Sequence, residues 1–311
     1  MRVPSTSPNR LPALDLVAEW PVPAAAAGVV ARAGGGQAPS GDRSPARTEP
    51  AGPFVVSTAG DPDRRYAWAS VTKLCSALAV LVAVEEKTLA LDDAAGPPGA
   101  TVAHLLAHAS GLGPDSLEAV ADVGTRRIYS NSGYEVLAEL LEARAQMPFR
   151  AYVHEAVFSP LAMSSARLEP GASAASGAEG ALADLLALGA ELLSPTLVSP
   201  ETLAQATAVA FGGLSGVLPG YGFQDPCDWG LGFEIRDAKH PHWTGPRCSQ
   251  RTFGHFGRSG SFLWVDPVAG VACAALADRP WGPWTSVWPA FSDAVLATVA
   301  AARDLRVTVH G

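Results

Sequence analysis

The chain is poor in charge, and in lysine above all. Only 17% of the 311 residues are charged and only three are lysines, whereas hydrophobic residues make up 48%. So apolar a composition excludes a disordered chain and supports one large or two modest domains with a sizeable core. The net charge of −8 comes without any basic stripe, so we expect no nucleic-acid partner.

Long hydrophobic runs are also absent. The longest, at positions 74–84, is interrupted by Ser76 and falls far short of the roughly 20 residues that a membrane span needs. The first residues include arginines, but no apolar stretch of about 7–15 residues follows to mark a secretory signal. These absences predict a soluble, cytoplasmic protein with no membrane partner.

Cysteine is scarce and widely scattered. None of the four cysteines forms a Cys-x-x-Cys pair, so neither a zinc site nor a disulfide framework is indicated. Cys227 and Cys248 flank one loop region and would pair in an oxidising compartment, but free thiols are the expectation. His104 and His108 stand four apart, a spacing that can bind metal, yet no glutamate beside His104 completes a metal motif. We therefore expect no metal and no cofactor.

Strand patterns lie at both ends of the chain and helical patterns lie in the middle. Strands are predicted at 24–33, 54–58, 229–235, 261–265 and 271–277, the last two as a hairpin. Helices are predicted at 11–20, from Ser70, from Thr101, and at 136–141, 181–193, 200–208 and 284–302. The stretch at 34–53, rich in Gly, Pro and Ser, predicts a mobile loop, and residues 1–10 a loose tail.

This order of elements predicts an α+β fold. One antiparallel sheet, flanked by terminal helices, is built from residues 1–66 and 212–311, and a mostly helical domain of residues 67–211 is inserted. The active site is expected between the two domains.

The first motif that carries chemistry is Ser-Val-Thr-Lys at 70–73, where a helix begins. Residues three apart on a helix share a face, so Lys73 is expected beside the hydroxyl of Ser70. A serine needs such an adjacent base to act as a nucleophile, and the first turn of a helix directs N–H groups toward developing negative charge. A lysine that opens a buried helix is costly without a role or a partner, which favours a catalytic pair.

The second motif is Tyr-Ser-Asn at 129–131, just before a predicted helix. One interpretation is a capping turn. The other makes Tyr129 a proton carrier and Asn131 an amide that orients the substrate. The chain contains only two asparagines, which disfavours a chance Tyr-x-Asn after a Ser-x-x-Lys.

The third motif is His255-Phe256-Gly257, followed by Arg258. Glycine at a strand edge suits a place where another group closely approaches the backbone. Such an edge can supply a second donor for an oxyanion.

In this order the three motifs resemble those of class C β-lactamases, D-alanyl-D-alanine carboxypeptidases and β-lactamase-like esterases. The resemblance spans positions 24–302 and includes the Leu-Leu-Ala-His-Ala-Ser-Gly-Leu stretch at 105–112. It implies a β-lactamase/transpeptidase-like fold and a serine hydrolase that forms an acyl-enzyme with a small-molecule acyl substrate.

The resemblance also implies the role of each residue. Ser70 is the acylated nucleophile, and Lys73 hydrogen-bonds it near Tyr129, which passes the serine proton to the leaving group. Asn131 contacts the acyl side of the substrate and His255 the leaving-group side. Lowering the pKa of a tyrosine from about 10 to about 7 needs roughly 4 kcal/mol. Either the Lys73 charge supplies most of this or Lys73 is itself the base, and both alternatives remain open at this point.

The remaining site residues concern specificity. The resemblance assigns the oxyanion to the backbone N–H groups of Ser70 and Arg258. A phenylalanine at position 256 and a histidine in place of a lysine at 255 disfavour carboxylate-bearing penicillins and peptides, and favour a small ester or amide, although Arg258 restores some anion affinity. Gly257 is expected at the substrate. Trp229 is predicted to line the cleft, whereas most of the late tryptophans are predicted to be core and 240–243 a solvent-exposed turn.

Two alternatives to a hydrolase follow from the same residues. An acyltransferase would use an alcohol or amine in place of water, and a ligand-binding module would keep the fold without catalysis. The presence of Ser70, Lys73 and Tyr129 argues against the second alternative. The sequence does not indicate an oligomeric state.

Overall fold

A six-stranded antiparallel sheet joins the two ends of the chain. The computed structural model describes residues 10–32, 54–280, 282 and 284–310. The predicted loop at 34–53 lies outside the described residues, as do residues 1–9 of the predicted tail and Trp281. The strands, in chain order, are β1 (Ala25–Arg32), β2 (Phe54–Ala59), β3 (Arg65–Ala67), β4 (Arg167–Leu168), β5 (Ala178–Ala181), β6 (Gly216–Leu218), β7 (Gly222–Gln224), β8 (Glu234–Ile235), β9 (Phe253–Gly257), β10 (Ser261–Asp266) and β11 (Val271–Ala277).

The helices lie mostly between β3 and β6. They are α1 (Thr72–Glu85), α2 (Val102–Leu106), α3 (Ser132–Ala145), α4 (Phe149–Val153), α5 (Leu182–Leu193), α6 (Pro200–Ala206) and α7 (Trp284–His310). Turns of 3-10 helix cover Pro12–Glu19 and Ala69–Val71, and a π-helical turn covers His154–Phe158.

The large sheet has the order β2-β1-β11-β10-β9-β8, and every neighbouring pair is antiparallel. Its central strand β11 is buried along its whole length. Side chains of a strand alternate between the two faces, so Ala272 and Ala274 join one core with α5, and Cys273 and Ala275 join a second core with α7. The sheet is therefore covered on both sides, which explains why its strands are almost uniformly apolar.

The helix that follows Ser70 is buried nearly all round, as its sequence predicts. Ten consecutive residues of α1, from Thr72 to Leu81, are buried. Two small sheets complete the fold: β3-β5-β4 beside the start of α1, and the hairpin β6-β7. Helix α1 contacts β9, and the 3-10 turn before it contacts β9 and β10, which brings the helical region against the large sheet.

The predicted α+β architecture is confirmed, with strands from both ends of the chain in one antiparallel sheet. The division into residues 1–66 with 212–311 and 67–211 stays a prediction. One element departs from it, because α5 belongs to the middle of the chain and yet packs against β1 and β11.

The predicted strand at 229–235 is largely wrong. Only Glu234 and Ile235 form a strand, and Trp229 pairs back with Glu234 across a tight turn. Gly232 has a φ of +95°, in the left-handed region that favours glycine, and it reverses the chain there. The aromatic and branched residues that suggested a strand are buried as a compact turn instead.

The prediction of a solvent-exposed turn at 240–243 is wrong for two residues. His242 and Trp243 are only 5% and 1% exposed. Their ring nitrogens bind the carboxylate of Glu234, at 3.0 Å from His242 Nε2 and 2.8 Å from Trp243 Nε1. Lys239 forms an ion pair with the same carboxylate. Burial would raise the pKa of Glu234, but Lys239 and His242 together hold that pKa well below its usual range. We call Glu234, Lys239 and His242 the buried ion cluster.

All four cysteines are free thiols and all are buried, so Cys227 and Cys248 are not joined. Burial raises the pKa of each thiol, to about 12 for Cys248. None of the helices in the described part of the chain combines the length and apolar character that crossing a bilayer requires.

Candidate active site

Ser70 lies on a strained turn that leads into α1. The residue before it, Ala69, has a φ of +46°, a left-handed conformation that costs a residue other than glycine about 1–2 kcal/mol. The turn is held by Thr72, whose hydroxyl donates to the Ala69 carbonyl at 2.6 Å and accepts from the Ala178 N–H at 3.0 Å. This conformation presents Ser70 at the first turn of the helix, where backbone N–H groups are available.

Lys73 lies one turn below Ser70 and is completely buried. Its Nζ is 3.5 Å from Ser70 Oγ, 2.7 Å from Asn131 Oδ1 and 2.9 Å from the Ala175 carbonyl oxygen. Burial lowers the pKa of Lys73 to about 7, although the charges of Glu135 and Asp115 oppose this shift. Lys73 can therefore accept a proton near neutral pH.

Tyr129 reaches Ser70 from the segment before α3. Its hydroxyl shares a hydrogen bond with Ser70, and Lys73 Nζ lies over its ring, 4.7 Å from the centroid. Burial raises the pKa of Tyr129 above its ordinary value, and the hydrogen bond with Ser70 only partly opposes this. Because burial raises its pKa, Tyr129 remains a neutral phenol at neutral pH.

The Tyr-Ser-Asn motif also forms the turn that precedes α3. The hydroxyl of Ser130 accepts from the Gly133 N–H at 3.1 Å and donates to the Gly113 carbonyl at 2.7 Å. Asn131 makes no capping bond with its side chain. Its Oδ1 accepts from Lys73, and its Nδ2 donates to Asp115 Oδ1 at 2.7 Å. Ser130 therefore caps this turn, while the side-chain amide of Asn131 contacts Lys73.

Two serines fasten the sheet to the segment before the nucleophile. Ser259, in the turn between β9 and β10, donates its hydroxyl to the Ala67 carbonyl at 2.7 Å. Ser261, the first residue of β10, donates to the Trp68 carbonyl at 2.6 Å. Gly257 lies in the same contact. A Cβ added at Gly257 would be 2.4 Å from the Trp68 carbonyl oxygen, closer than atoms approach, so only glycine fits here. The end of β9 is thereby held beside Ser70.

His255 lies in β9 with its ring buried against Tyr129, at 5.9 Å between ring centroids. Its Nδ1 is 2.9 Å from the amide nitrogen of Phe256 and 2.8 Å from the carbonyl oxygen of Phe256. Its Nε2 is buried with no hydrogen-bond partner among the described residues. Burial, and next the charge of Lys73, lowers the pKa of His255 to about 3. The ring is therefore neutral, and it offers the cleft a hydrogen-bonding atom rather than a charge.

These side chains surround a cleft of about 710 Å³. The helical region and the sheet each contribute a wall, and the hairpin β6-β7 contributes its turn. The lining residues are Ser70, Pro114, Asp115, Tyr129, Asn131, Pro219, Gly220, His255, Phe256, Arg258 and Pro280. Arg258 is exposed and forms no ion pair within the described part of the chain.

Six of the nine predicted site residues line this cleft, and three of them do not. Lys73 lies just beneath its floor. Gly257 supports the turn at Ser70 through its backbone. Trp229, predicted to line the cleft, is 1% exposed and lies one layer behind it. Its ring packs on Tyr129 and His255 at 5.8 and 5.5 Å between centroids, and Lys239 Nζ lies 5.9 Å from its ring centroid. Trp229 therefore braces the site from behind.

Three residues that support the site are not among the site residues predicted from the sequence. Glu135 holds the loop that binds Lys73, because its carboxylate accepts from Ser173 Oγ at 2.5 Å and from the Ala175 N–H at 3.4 Å. It stands four residues after Asn131, so helical spacing would have placed both on the face toward Lys73. His108 packs on Tyr129 at 4.7 Å. Asp115 had no signal beyond its place soon after the 105–112 stretch.

The two histidines with metal spacing are engaged elsewhere. His104 Nδ1 lies 2.8 Å from Thr101 Oγ1, and its ring stacks on Phe211 at 4.2 Å. His108 Nδ1 accepts from the Ser130 N–H at 3.1 Å. Among the described residues, no three His, Cys, Asp or Glu side chains are grouped so as to hold a metal ion.

Known proteins resemble this chain over most of its length. The family model for β-lactamase matches residues 26–285. A β-lactamase from Mycobacterium bovis is 50% identical, covers 92% of this chain and 99% of its own, and has a TM-score of 0.84. A penicillin-binding protein homologue from Caulobacter crescentus is 17% identical, with 96% and 100% of the two chains covered and a TM-score of 0.69. The hydrolase EstCE1, with promiscuous acyltransferase activity, is 17% identical, with 91% and 96% covered and a TM-score of 0.66. No curated sequence matches.

Proposed function

Because this chain belongs to the β-lactamase family, we propose that it is a serine hydrolase that forms an acyl-enzyme on Ser70 and hydrolyses a small ester or amide. One observation carries the proposal. Lys73 Nζ and the Tyr129 hydroxyl both approach the hydroxyl of Ser70, the lysine at 3.5 Å, at the floor of a cleft that a small acyl donor would fit.

The proposed reaction starts with neutral Lys73 as the base. The proton of Ser70 passes to Lys73, directly or through Tyr129, while Ser70 Oγ bonds to the acyl carbon. A lysine with a pKa of about 7 is neutral in half of the molecules at pH 7, whereas the raised pKa of Tyr129 disfavours a phenolate. The lowered pKa of Lys73 and the raised pKa of Tyr129 favour Lys73 as the base, with Tyr129 relaying the proton to the leaving group.

The negative charge that develops on the acyl oxygen would be bound by the backbone N–H groups of Ser70 and Arg258. The bonds of Ser259 and Ser261 to the segment before Ser70 support this role, because they hold the end of β9 beside the nucleophile. One such donor is worth about 3–4 kcal/mol of transition-state stabilisation. Water then attacks the acyl-enzyme by the same route and releases the acid.

The walls of the cleft favour an ester or a simple amide. The ring of Phe256 is 5% exposed and packs in the core that contains α7, so this residue offers no hydroxyl to hold a carboxylate. Burial keeps His255 uncharged. The guanidinium of Arg258 is the group in the cleft that would bind a carboxylate when one is present. A panel of p-nitrophenyl esters of increasing chain length, with nitrocefin as the β-lactam, therefore reports the substrate class.

A covalent probe tests the proposal. Wild-type protein treated with a fluorophosphonate should gain one adduct by intact mass, and Ser70→Ala should gain none and should lose turnover of the ester panel. The matched control is Ser164→Ala, a variant that lacks an exposed serine outside the cleft lining and that should still be labelled. No adduct on the wild type, or an equal adduct on Ser70→Ala, would contradict the proposal. Faster formation of a new ester than of the acid on adding an alcohol would show an acyltransferase instead.

A further inference from the structure

Among the described residues, a single carboxylate lines the cleft, and it forms no ion pair with a protein cation. Asp115 is the one acidic residue among the lining residues. Its Oδ1 accepts from Asn131 Nδ2 at 2.7 Å, and no lysine, arginine or histidine of the described residues forms an ion pair with it. Through Asn131, whose Oδ1 binds Lys73, the carboxylate is fixed in position beside the nucleophile.

The charge of Asp115 works against the proposed chemistry. It raises the pKa of both Lys73 and Tyr129, the two groups that would take the proton of Ser70. Glu135, on α3, also raises the pKa of Lys73. The histidines that face the lysine, at 108 and 255, are kept neutral by burial and do not offset these charges. With both carboxylates present the pKa of Lys73 is about 7, so a further positive charge bound at Asp115 would lower that pKa and leave more of the lysine neutral at pH 7.

Arg258 is the cation among the lining residues, but it forms no ion pair with Asp115, so the substrate is the source of charge that we consider. We infer that Asp115 binds an ammonium group of the substrate, so that the ester or amide which this enzyme cleaves is cationic. The inference rests on the proposed function and deepens it by naming the class of substrate. A primary ammonium would donate charge-assisted hydrogen bonds to the carboxylate, whereas a quaternary one would be held by charge alone. On binding, the cation would cancel the effect of Asp115 on Lys73 and release the base.

A purely structural role for Asp115 makes a different prediction. In that role the carboxylate only orients Asn131 by accepting its amide N–H. Asp115→Asn separates the two roles, because an asparagine oxygen can accept the same hydrogen bond but carries no charge. The matched control is Glu118→Gln, which removes a charge from the same loop at a residue that does not line the cleft.

The experiment uses two pairs of substrates that differ in charge but hardly in shape. Alanine p-nitroanilide is compared with propionyl p-nitroanilide, which places the ammonium in the acyl part. Acetylcholine is compared with 3,3-dimethylbutyl acetate, which places it in the leaving group. We expect the wild type and Glu118→Gln to prefer the cationic member of at least one pair by about tenfold or more in kcat/KM. The pair that shows the preference locates the ammonium.

Asp115→Asn should abolish that preference, to within about twofold. It should also raise, not lower, the turnover of the neutral member below pH 7, because the lysine then loses its proton more easily. The preference of the wild type should weaken between 10 and 300 mM salt, since mobile ions screen the charge.

Two results would overturn the inference alone: equal turnover of both members of both pairs by the wild type, or a preference that survives in Asp115→Asn. If the wild type cleaves no member of either pair and gains no fluorophosphonate adduct, the proposed function itself fails, and the inference fails with it.

Discussion

Two of the three lysines of this chain are buried, and their surroundings differ in one respect. Lys239 is paired with the carboxylate of Glu234 and donates to two backbone carbonyls as well. Within the described part of the chain, Lys73 has only neutral oxygens within hydrogen-bond distance, from Ser70, Asn131 and Ala175. The first lysine keeps its counter-charge and stabilises a turn, whereas the second lacks one and its pKa falls to about 7. A buried lysine without a counter-ion has a lowered pKa, and such shifted pKa values are typical of groups that exchange protons in active sites.

The two lysines are separated by a pair of aromatic rings. Lys73 Nζ lies 4.7 Å from the ring centroid of Tyr129, and Lys239 Nζ lies 5.9 Å from that of Trp229. The two rings are themselves 5.8 Å apart. Lys73 thus contacts one ring of this pair and Lys239 contacts the other. We expect the two lysines to respond differently to mutation.

The largest expected effect is on folding. Glu234→Ala leaves the buried cation of Lys239 without its partner, which typically costs about 3–5 kcal/mol. Urea denaturation should show a loss of this size in the free energy of unfolding. The double variant Glu234→Leu with Lys239→Met, which removes both charges, should recover much of it. A loss below about 1 kcal/mol in the single variant would show that the buried ion cluster is not structural.

Lys73→Met should lower activity strongly and stability little, the opposite of Glu234→Ala. It removes the proposed base while leaving an apolar side chain of similar length in a buried position, so kcat/KM should fall at least about 100-fold. The free energy of unfolding should change by no more than about 1–2 kcal/mol, because a buried charge is removed rather than stranded. Loss of activity explained by loss of folded protein would contradict the contrast between the two lysines.

Tyr129→Phe should also lower kcat/KM at least about 100-fold, since the relay to the leaving group is lost. The acyl-enzyme should still form with an activated leaving group such as p-nitrophenol, which needs little protonation. Full activity on an unactivated alkyl ester would show that Tyr129 carries no proton.

The pH profile distinguishes the two candidate bases. A base acts when deprotonated, so with Lys73 in this role kcat/KM should rise with pH through about 7. With Tyr129 as the base, the rise would come above pH 10, because burial raises its pKa. Glu135→Gln removes a charge that raises the pKa of Lys73 and should move the rise to lower pH. An unmoved profile would argue against Lys73.

The smallest effect is expected at Arg258. Replacing it by Ala should lower kcat/KM about tenfold, or 1.4 kcal/mol, for substrates that carry a carboxylate. Neutral esters should be affected much less, because its backbone N–H is retained. Equal losses for both classes would indicate that the side chain does not bind the anion.

The sequence predicts well those features that local spacing determines. The three-residue step from Ser70 to Lys73 sets their contact, and alternating or continuous apolar runs predict β1, β10 and β11. The family and the fold are confirmed on this basis. The roles of the site residues remain predictions.

Features set by distant partners escape such reasoning. The sequence around His242 and Trp243 predicts a polar turn, because it does not show that both rings bind the carboxylate of Glu234. The bridge between Trp229 and Glu234 likewise depends on one reversal of the chain. The strands β4 and β8 contain two residues each, too few for any period to emerge. Asp115 belongs to no motif, and only the hydrogen bond to Asn131 connects it with the chemistry.

The four buried thiols have a practical consequence. Their raised pKa values leave almost no thiolate at neutral pH, so maleimides should not react with the folded protein. A cysteine introduced at Phe223, which is 62% exposed on the hairpin beside the cleft, would then be labelled alone. A single fluorophore at that position could report the arrival of ligands without any background to subtract.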